Sequence, residues 1–93
     1  MFAVTVVFEV HPGDMAAFLP LVRENAKASR TKEHGCHQFD VCRSGDTIFL
    51  YELYINRAAF DAHLETPHFH SFDAAAAPMI ANKSVQIFEK VYR

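Results

Sequence analysis

The sequence predicts an α+β domain of the ferredoxin-like kind: a βαββαβ chain forming a four-stranded antiparallel sheet with its helices on one face. Three observations predict it. Residues 2 to 11 alternate, with Phe2, Val4, Val6, Phe8 and Val10 on one side and Ala3, Thr5, Val7, Glu9 and His11 on the other. Met15, Phe18, Leu19, Val22 and Ala26 then recur at helical spacing. Further on, two strand-like runs meet at Ser44-Gly45-Asp46, a short hairpin loop.

Each element has a local reason. After the first strand, His11-Pro12-Gly13-Asp14 is a turn, and Asp14 is placed to cap the helix. Pro20 falls inside that helix and predicts a kink or a late start, because it lacks a backbone donor and crowds the preceding turn. Gly35 suits the helix C-cap or the tight turn after it. Cys36 to Arg43 reads as the second strand, and Ile48 to Ile55 as a third strand covered on both faces. Asn56 is an N-cap; Thr66-Pro67 is a second helix start, with Thr as cap and Pro as first helical residue. Phe69, Phe72 and Ala76 form an apolar stripe that Pro78 ends. Ala81-Asn82-Lys83 leads to a last strand, Ser84 to Tyr92. No repeat, linker or low-complexity segment divides residues 1 to 93, which are expected to form one domain.

Composition narrows the class of partner. Half of the 93 residues are hydrophobic, with nine Phe, which excludes a disordered chain. The formal charge of −2 and the absence of like-charge blocks argue against nucleic acid and against an anionic membrane surface. Met1-Phe-Ala-Val-Thr lacks the basic start of a signal peptide, and no apolar run approaches a membrane span. The expected location is cytoplasmic. Cys36 and Cys42 lie on one strand, about 20 Å apart at strand rise, too far to bridge. They read as packing residues. One sheet face, with Val7, Phe39 and Phe49, is left without helices to cover it, and a second copy packed sheet on sheet would cover it, so a homodimer is expected.

Residues 47 to 72 carry the candidate chemistry. Glu52 sits in the middle of an apolar strand, on the same face as Ile48, Leu50 and Tyr54. A carboxylate there is paired, protonated or lining a wet pocket. Phe60, His63 and Leu64 share one helical face. His63 is either a core histidine with one hydrogen bond or a general acid/base, since imidazole exchanges protons near neutral pH. His68 follows the break at Pro67, so helical geometry does not decide whether it meets His63. His68-x-His70 is not a metal pair, because helical residues two apart point to different sides. No metal is expected. Tyr54, Leu50, Phe60, Phe69 and Phe72 are core residues or walls on which a flat substrate would stack.

The runs Glu33-His-Gly35-Cys-His-Gln-Phe39, Leu50-Tyr-Glu-Leu-Tyr54 and Ala59-Phe-Asp-Ala-His63-Leu-Glu-Thr-Pro-His68-Phe resemble the antibiotic biosynthesis monooxygenase family of dimeric α+β barrels. The look is that of its quinol monooxygenase and autoinducer-2 phosphate isomerase branches. Polyketide-oxidising members carry Asn-x-x-x-Trp on the third strand, where this chain has Leu50 and Tyr54. Haem-degrading relatives need a late axial histidine, near which this chain has Asp73. The resemblance therefore implies a monooxygenase with no cofactor, acting with O₂ on a small phenol- or quinol-like aromatic. His63 would be the base, Glu52 its support, and Tyr54 and His68 candidate donors. It also implies an alternative, an isomerase of a small hydroxy-dione phosphate with Arg23 and Lys27 or helix N-termini holding the phosphate. A non-catalytic dimeric ligand-binding module is the third reading.

Overall fold

The computed structural model describes residues 1–93. Its elements are β1 (Phe2–Val10), α1 (Met15–Lys32), β2 (Cys36–Ser44), β3 (Thr47–Tyr54), α2 (Arg57–His63), α3 (Pro67–Ala76), a 3₁₀ turn (Ala77–Met79) and β4 (Ile80–Phe88). The strands form one antiparallel sheet in the order β2-β3-β1-β4. This is the ferredoxin-like α+β arrangement predicted above.

The alternation in β1 sets the layers. Phe2, Val4, Val6, Phe8 and Val10 are buried under the helices, opposite Tyr54, Glu52, Leu50 and Ile48 of β3 where the two strands pair. From α1, Met15, Phe18, Val22 and Ala26 close over them, and from α3, Phe72 and Ala76. Phe18 makes edge contacts with Phe8 and Phe72, at ring-centroid distances of 5.3 and 5.8 Å.

Both predicted caps in the helical segment are made. Asn56 accepts from the Ala59 N–H at 2.9 Å, and Thr66 from the Phe69 N–H at 3.2 Å. Asp14 occupies the N-cap position of α1 but makes no side-chain cap bond, its backbone being already in the helical region. The late start expected at Pro20 does not occur: α1 runs through it from Met15. Pro20 points to solvent and lies near the helix start, where few turns precede it to be disturbed.

Three expectations are corrected. Phe39 is not on the uncovered face: it pairs with Glu52 and is 1% exposed, beneath the helices. A bulge explains the change of side. Cys36 pairs with Tyr54 but Gln38 with Leu53, so β2 carries one extra residue there and its alternation shifts phase. The same bulge puts Cys36 and Cys42 on opposite faces; both are free thiols, Cys36 is buried, and Cys42, read from the sequence as a packing residue, is exposed. The last strand begins at Ile80 and ends at Phe88, because its partner β1 spans Ala3 to Val10 in the shared register. Asn82 and Lys83, too polar for a central strand, are accommodated on this exposed edge.

Gly35 lies in the turn between α1 and β2, and its carbonyl accepts from the Ile55 N–H at 2.8 Å. A Cβ on Gly35 would stand 2.5 Å from the Ala59 Cβ. Gly35→Ala should therefore push α2 off the sheet edge and lower stability by about 1–3 kcal/mol, the usual cost of overpacking. Urea unfolding checks it; an unchanged midpoint would show that α2 shifts freely.

Candidate active site

The site lies between the sheet and the helical segment. β3 presents Glu52, since its side alternates with Phe49 and Tyr51. The last turn of α2 presents His63, and Thr66 ties the following loop by donating to the His63 carbonyl at 2.7 Å. Pro67 then starts α3, which brings His68 back beside His63, with ring centroids 6.1 Å apart. The break that left their meeting undecided in the sequence is the turn that makes them meet.

The acid that the sequence reading did not place in the site is Glu33. It follows the last residue of α1, in a stretch that looks like a polar helix end. Its Oε2 accepts from both imidazoles: it lies 2.8 Å from His63 Nδ1 and 2.5 Å from His68 Nε2. The Ser29 hydroxyl is 3.5 Å from His63 Nδ1. On the other side of the ring, His63 Nε2 faces Glu52 Oε1 at 4.0 Å. Glu52 Oε1 in turn accepts from the Tyr54 hydroxyl at 2.6 Å. Glu52 is thus paired with a phenol rather than with an Arg or Lys. The principal orienter of His63 is Glu33, and Glu52 approaches its opposite nitrogen.

Burial decides the electrostatics. Glu52 is 4% exposed; burial pushes its carboxyl above the ordinary range, and the Tyr54 hydroxyl only partly offsets this. For Glu33, burial also favours the neutral acid, but the hydrogen bonds from His63 and His68 outweigh it and hold the carboxyl below the ordinary range. Burial, then the Glu52 carboxylate, raises the Tyr54 phenol, so it stays a donor. Burial and the nearby Glu33 and Glu52 push the Cys36 thiol up to about 12, which leaves it a packing residue.

Two opposite pH dependences follow. A raised folded-state value gives stability that is full below the ordinary carboxylate value and is lost as pH rises through the folded value. Glu52 behaves so, and Glu52→Gln should gain stability relative to the native chain between about pH 5 and pH 8. Urea unfolding at both values checks this; a pH-independent difference would show that Glu52 is solvated. The lowered Glu33 contributes stability above the ordinary carboxylate value, lost as pH falls through its own.

His63, Glu52, Leu50, Phe60, Phe69 and Phe72 line one cavity of about 60 Å³, walled further by Phe39, Val4 and Val6. Lys83 and Val85 of β4 stand at its edge. Asn25, from α1, also lines it; the residue is 3% exposed and its Oδ1 has no partner. The sequence places Asn25 between Val22 and Ala26 of the apolar stripe, but only the fold shows that this part of α1 is covered. Tyr54 and His68 do not line this cavity: Tyr54 donates its hydroxyl to Glu52, and His68 lines a neighbouring cleft with Leu21, Glu24 and Ser71 that shares Asn25 and Phe72 with the cavity. Arg23 and Lys27 line a third groove, with Arg30 and Arg43, that shares no residue with the cavity. A phosphate held there would not be held beside His63. Glu33, His63 and His68 together form a set of donor atoms within 4.8 Å of one another. The sequence expectation of no metal rested on the absence of a clustered ligand set and of a late axial histidine, and it did not foresee this set.

The fold is a small α+β protein with a ferredoxin-like sheet, in which a buried imidazole is bonded to Glu33 on one side and faces Glu52 and an apolar cavity on the other. The family model for antibiotic biosynthesis monooxygenases matches residues 1–75, and the chain belongs to that family. A candidate antibiotic biosynthesis monooxygenase from Nitrosomonas europaea is similar to it along the whole fold, with 28% identity, a TM-score of 0.93, and coverage of 99% of this chain and 100% of that one. Rv0793 of Mycobacterium tuberculosis is similar at 25% identity and a TM-score of 0.92, covering 99% and 96%. An uncharacterized protein of Synechocystis sp. is 34% identical over 88 residues, 91% of this chain and 57% of that protein, so the chain spans little more than half of that relative's length. No helix is long and apolar enough to cross a membrane.

Proposed function

We propose that the protein is a cofactor-independent monooxygenase that uses O₂ to oxidise a small phenol- or quinol-like aromatic. The observation that carries this reading is the orientation of His63: Nδ1 bound to Glu33, Nε2 turned toward Glu52 and the apolar cavity. With the Nδ1 proton donated to Glu33, Nε2 carries a lone pair, the tautomer a general base needs. It takes the proton of the substrate hydroxyl. The Asn25 Oδ1, lacking a partner, is placed to accept from a second hydroxyl and fix the ring. The anion left behind is electron-rich enough to reduce O₂; the substrate supplies all four electrons, a ring C–H becoming a C=O with one oxygen atom while the hydroxyl becomes a second carbonyl, and the other oxygen leaves as water with the two hydrogens lost. Phe60, Phe69 and Phe72 exclude solvent from the charged intermediate. The cavity of about 60 Å³ is smaller than a ligand site, commonly about 300–1,000 Å³. Half-buried Phe69, whose ring is 5.2 Å from that of His63, is the wall that must swing to admit a ring.

An oxygen electrode tests the proposal. With a menadiol as probe, the protein should consume O₂ faster than autoxidation does, and His63→Ala should remove the excess. An isomerase would consume none and exchange a substrate proton with solvent. A binding module would do neither, yet gain thermal stability from the ligand.

We further propose that it works as a homodimer joined through the uncovered sheet face. Phe49 and Phe88 stand 37% and 39% exposed there, and the chain's resemblance to a family of dimeric α+β barrels points the same way. Sedimentation should give a dimer at micromolar concentration; a stable monomer would overturn this.

A further inference from the structure

We propose that Glu33, His63 and His68 form a binding site for a divalent transition metal of the zinc class, on the side of the His63 ring away from the cavity. Two imidazole nitrogens, His63 Nδ1 and His68 Nε2, converge on one carboxylate oxygen, and all three atoms lie within 4.8 Å of one another. Imidazole and carboxylate are the donors such ions take when three protein ligands leave a fourth position open. The hydrogen bonds already made would satisfy the histidines, so a second observation matters. The other oxygen of Glu33, Oε1, is buried without any partner. A carboxylate that shares an ion has use for both oxygens; one that only accepts from two histidines leaves this atom unpaired. A third observation concerns the opposite nitrogen. A metal-bound histidine commonly donates its other N–H to a carboxylate, and His63 Nε2 faces Glu52 Oε1 at 4.0 Å.

The space is suitable. Tetrahedral ligands at zinc distances stand about 3.3 Å apart. Glu33 Oε2 is 2.8 and 2.5 Å from the two nitrogens, so the carboxylate must draw back by less than about 1 Å. Glu33 is the C-cap of α1, its backbone bonded to Ser29 and Cys36, so this adjustment falls to its side-chain torsions. His68 lines the cleft with Leu21, Glu24, Asn25, Ser71 and Phe72, through which the ion and a water ligand would enter. The imidazole ring of His63 separates the ion from the cavity, so the ion would not touch a substrate there. It would instead fix the tautomer: with Nδ1 on the metal, Nε2 keeps its proton and ceases to be a base. This consequence rests on the oxygenase reading; the binding itself does not.

The experiment uses the full chain, stripped by a chelator and titrated with Zn²⁺ against a chromophoric competitor. Co²⁺ serves as a spectroscopic probe. One Zn²⁺ per chain is expected, with a tetrahedral Co²⁺ spectrum lacking a thiolate band. Loss of an outer-shell partner alone weakens metal sites about 10–100-fold, so His68→Gln and Glu33→Gln should each weaken binding at least that much. His70→Gln, two residues along and exposed, should change nothing. Absence of binding, or binding equal in His68→Gln and the native chain, overturns the proposal. If Glu33→Gln fails to fold by circular dichroism, His68→Gln, at the rim, decides alone. With menadiol, O₂ uptake by the stripped protein should fall in proportion to Zn²⁺ occupancy and be indifferent to Mg²⁺. Uptake that persists in the loaded protein overturns the tautomer switch. No uptake before loading overturns the oxygenase reading and leaves the site to stand on the titration.

Discussion

His63→Ala should fold, dimerise and lose turnover by about 10²–10⁴-fold, the range for a lost general base. The expectation comes from geometry on both sides of one ring. Nδ1 is held by Glu33 at 2.8 Å, and Nε2 looks past Glu52 into the cavity. His63 is 2% exposed, so its removal also leaves a void beside Phe39, Phe60 and Phe69, and takes one of the two imidazole donors from Glu33. A purely structural histidine would cost stability and leave the folded remainder active. The double variant separates the two. Groups that act as one unit are not additive, so His63→Ala with Glu52→Gln should lose little more than the worse single variant. Losses that multiply would mean that Glu52 and His63 act apart. Oxygen uptake with menadiol, together with thermal unfolding of each variant, gives both numbers. Full activity in folded His63→Ala would end the assignment.

Phe18→Ala should be the most destabilising single truncation of the core, by about 3–5 kcal/mol. Phe18 is fully buried where three elements meet. Its ring packs against Phe8 of β1 and Phe72 of α3, and Phe8 and Phe72 also touch, at 6.0 Å. The three rings make a closed triangle of edge contacts, each worth about 0.5–1.5 kcal/mol beyond area burial. Removing one breaks two contacts and opens a cavity that α1 cannot fill, since Val22 and Met15 are already packed. Against a total stability of about 5–15 kcal/mol, the loss would leave a marginal chain. Urea unfolding measures it. A loss under about 1 kcal/mol, typical of a half-exposed side chain, would mean that the sheet and helices are not tied through this ring.

The parts of the fold legible in the sequence were those with local causes. β1 could be read from its alternation, because one face is buried and the other only partly. Asn56 and Thr66-Pro67 marked their helices because caps satisfy backbone groups within three residues. The side of Phe39 and the ends of β4 were not legible. Both depend on pairing: a bulge opposite Leu53–Tyr54 in one case, the reach of β1 in the other. The site divides in the same way. Glu52 stood out as a charge in an apolar strand, and His63 as an imidazole on an apolar helical face. Glu33 is thirty positions from His63 and looks like any helix-end acid; only folding brings it there. Asn25 was hidden for a related reason, since a helix face is known to be buried only when its neighbours are known.

The bulge after Cys36 does more than turn two cysteines apart. It works like a frame shift between two counts kept by the same chain. From Gln38 to Ser44 the count is fixed by pairing with β3. From Glu33 back along α1 it is fixed by the helix packed on the core. The extra residue lets the two counts disagree by one and still join. Deleting His37 would leave every rung from Gln38 onward intact, yet drag Glu33 one residue toward the sheet and turn it from His63. Such a chain could keep its architecture and lose its site. In a lineage that gained or lost one residue here, likeness of shape would persist after likeness of chemistry had gone.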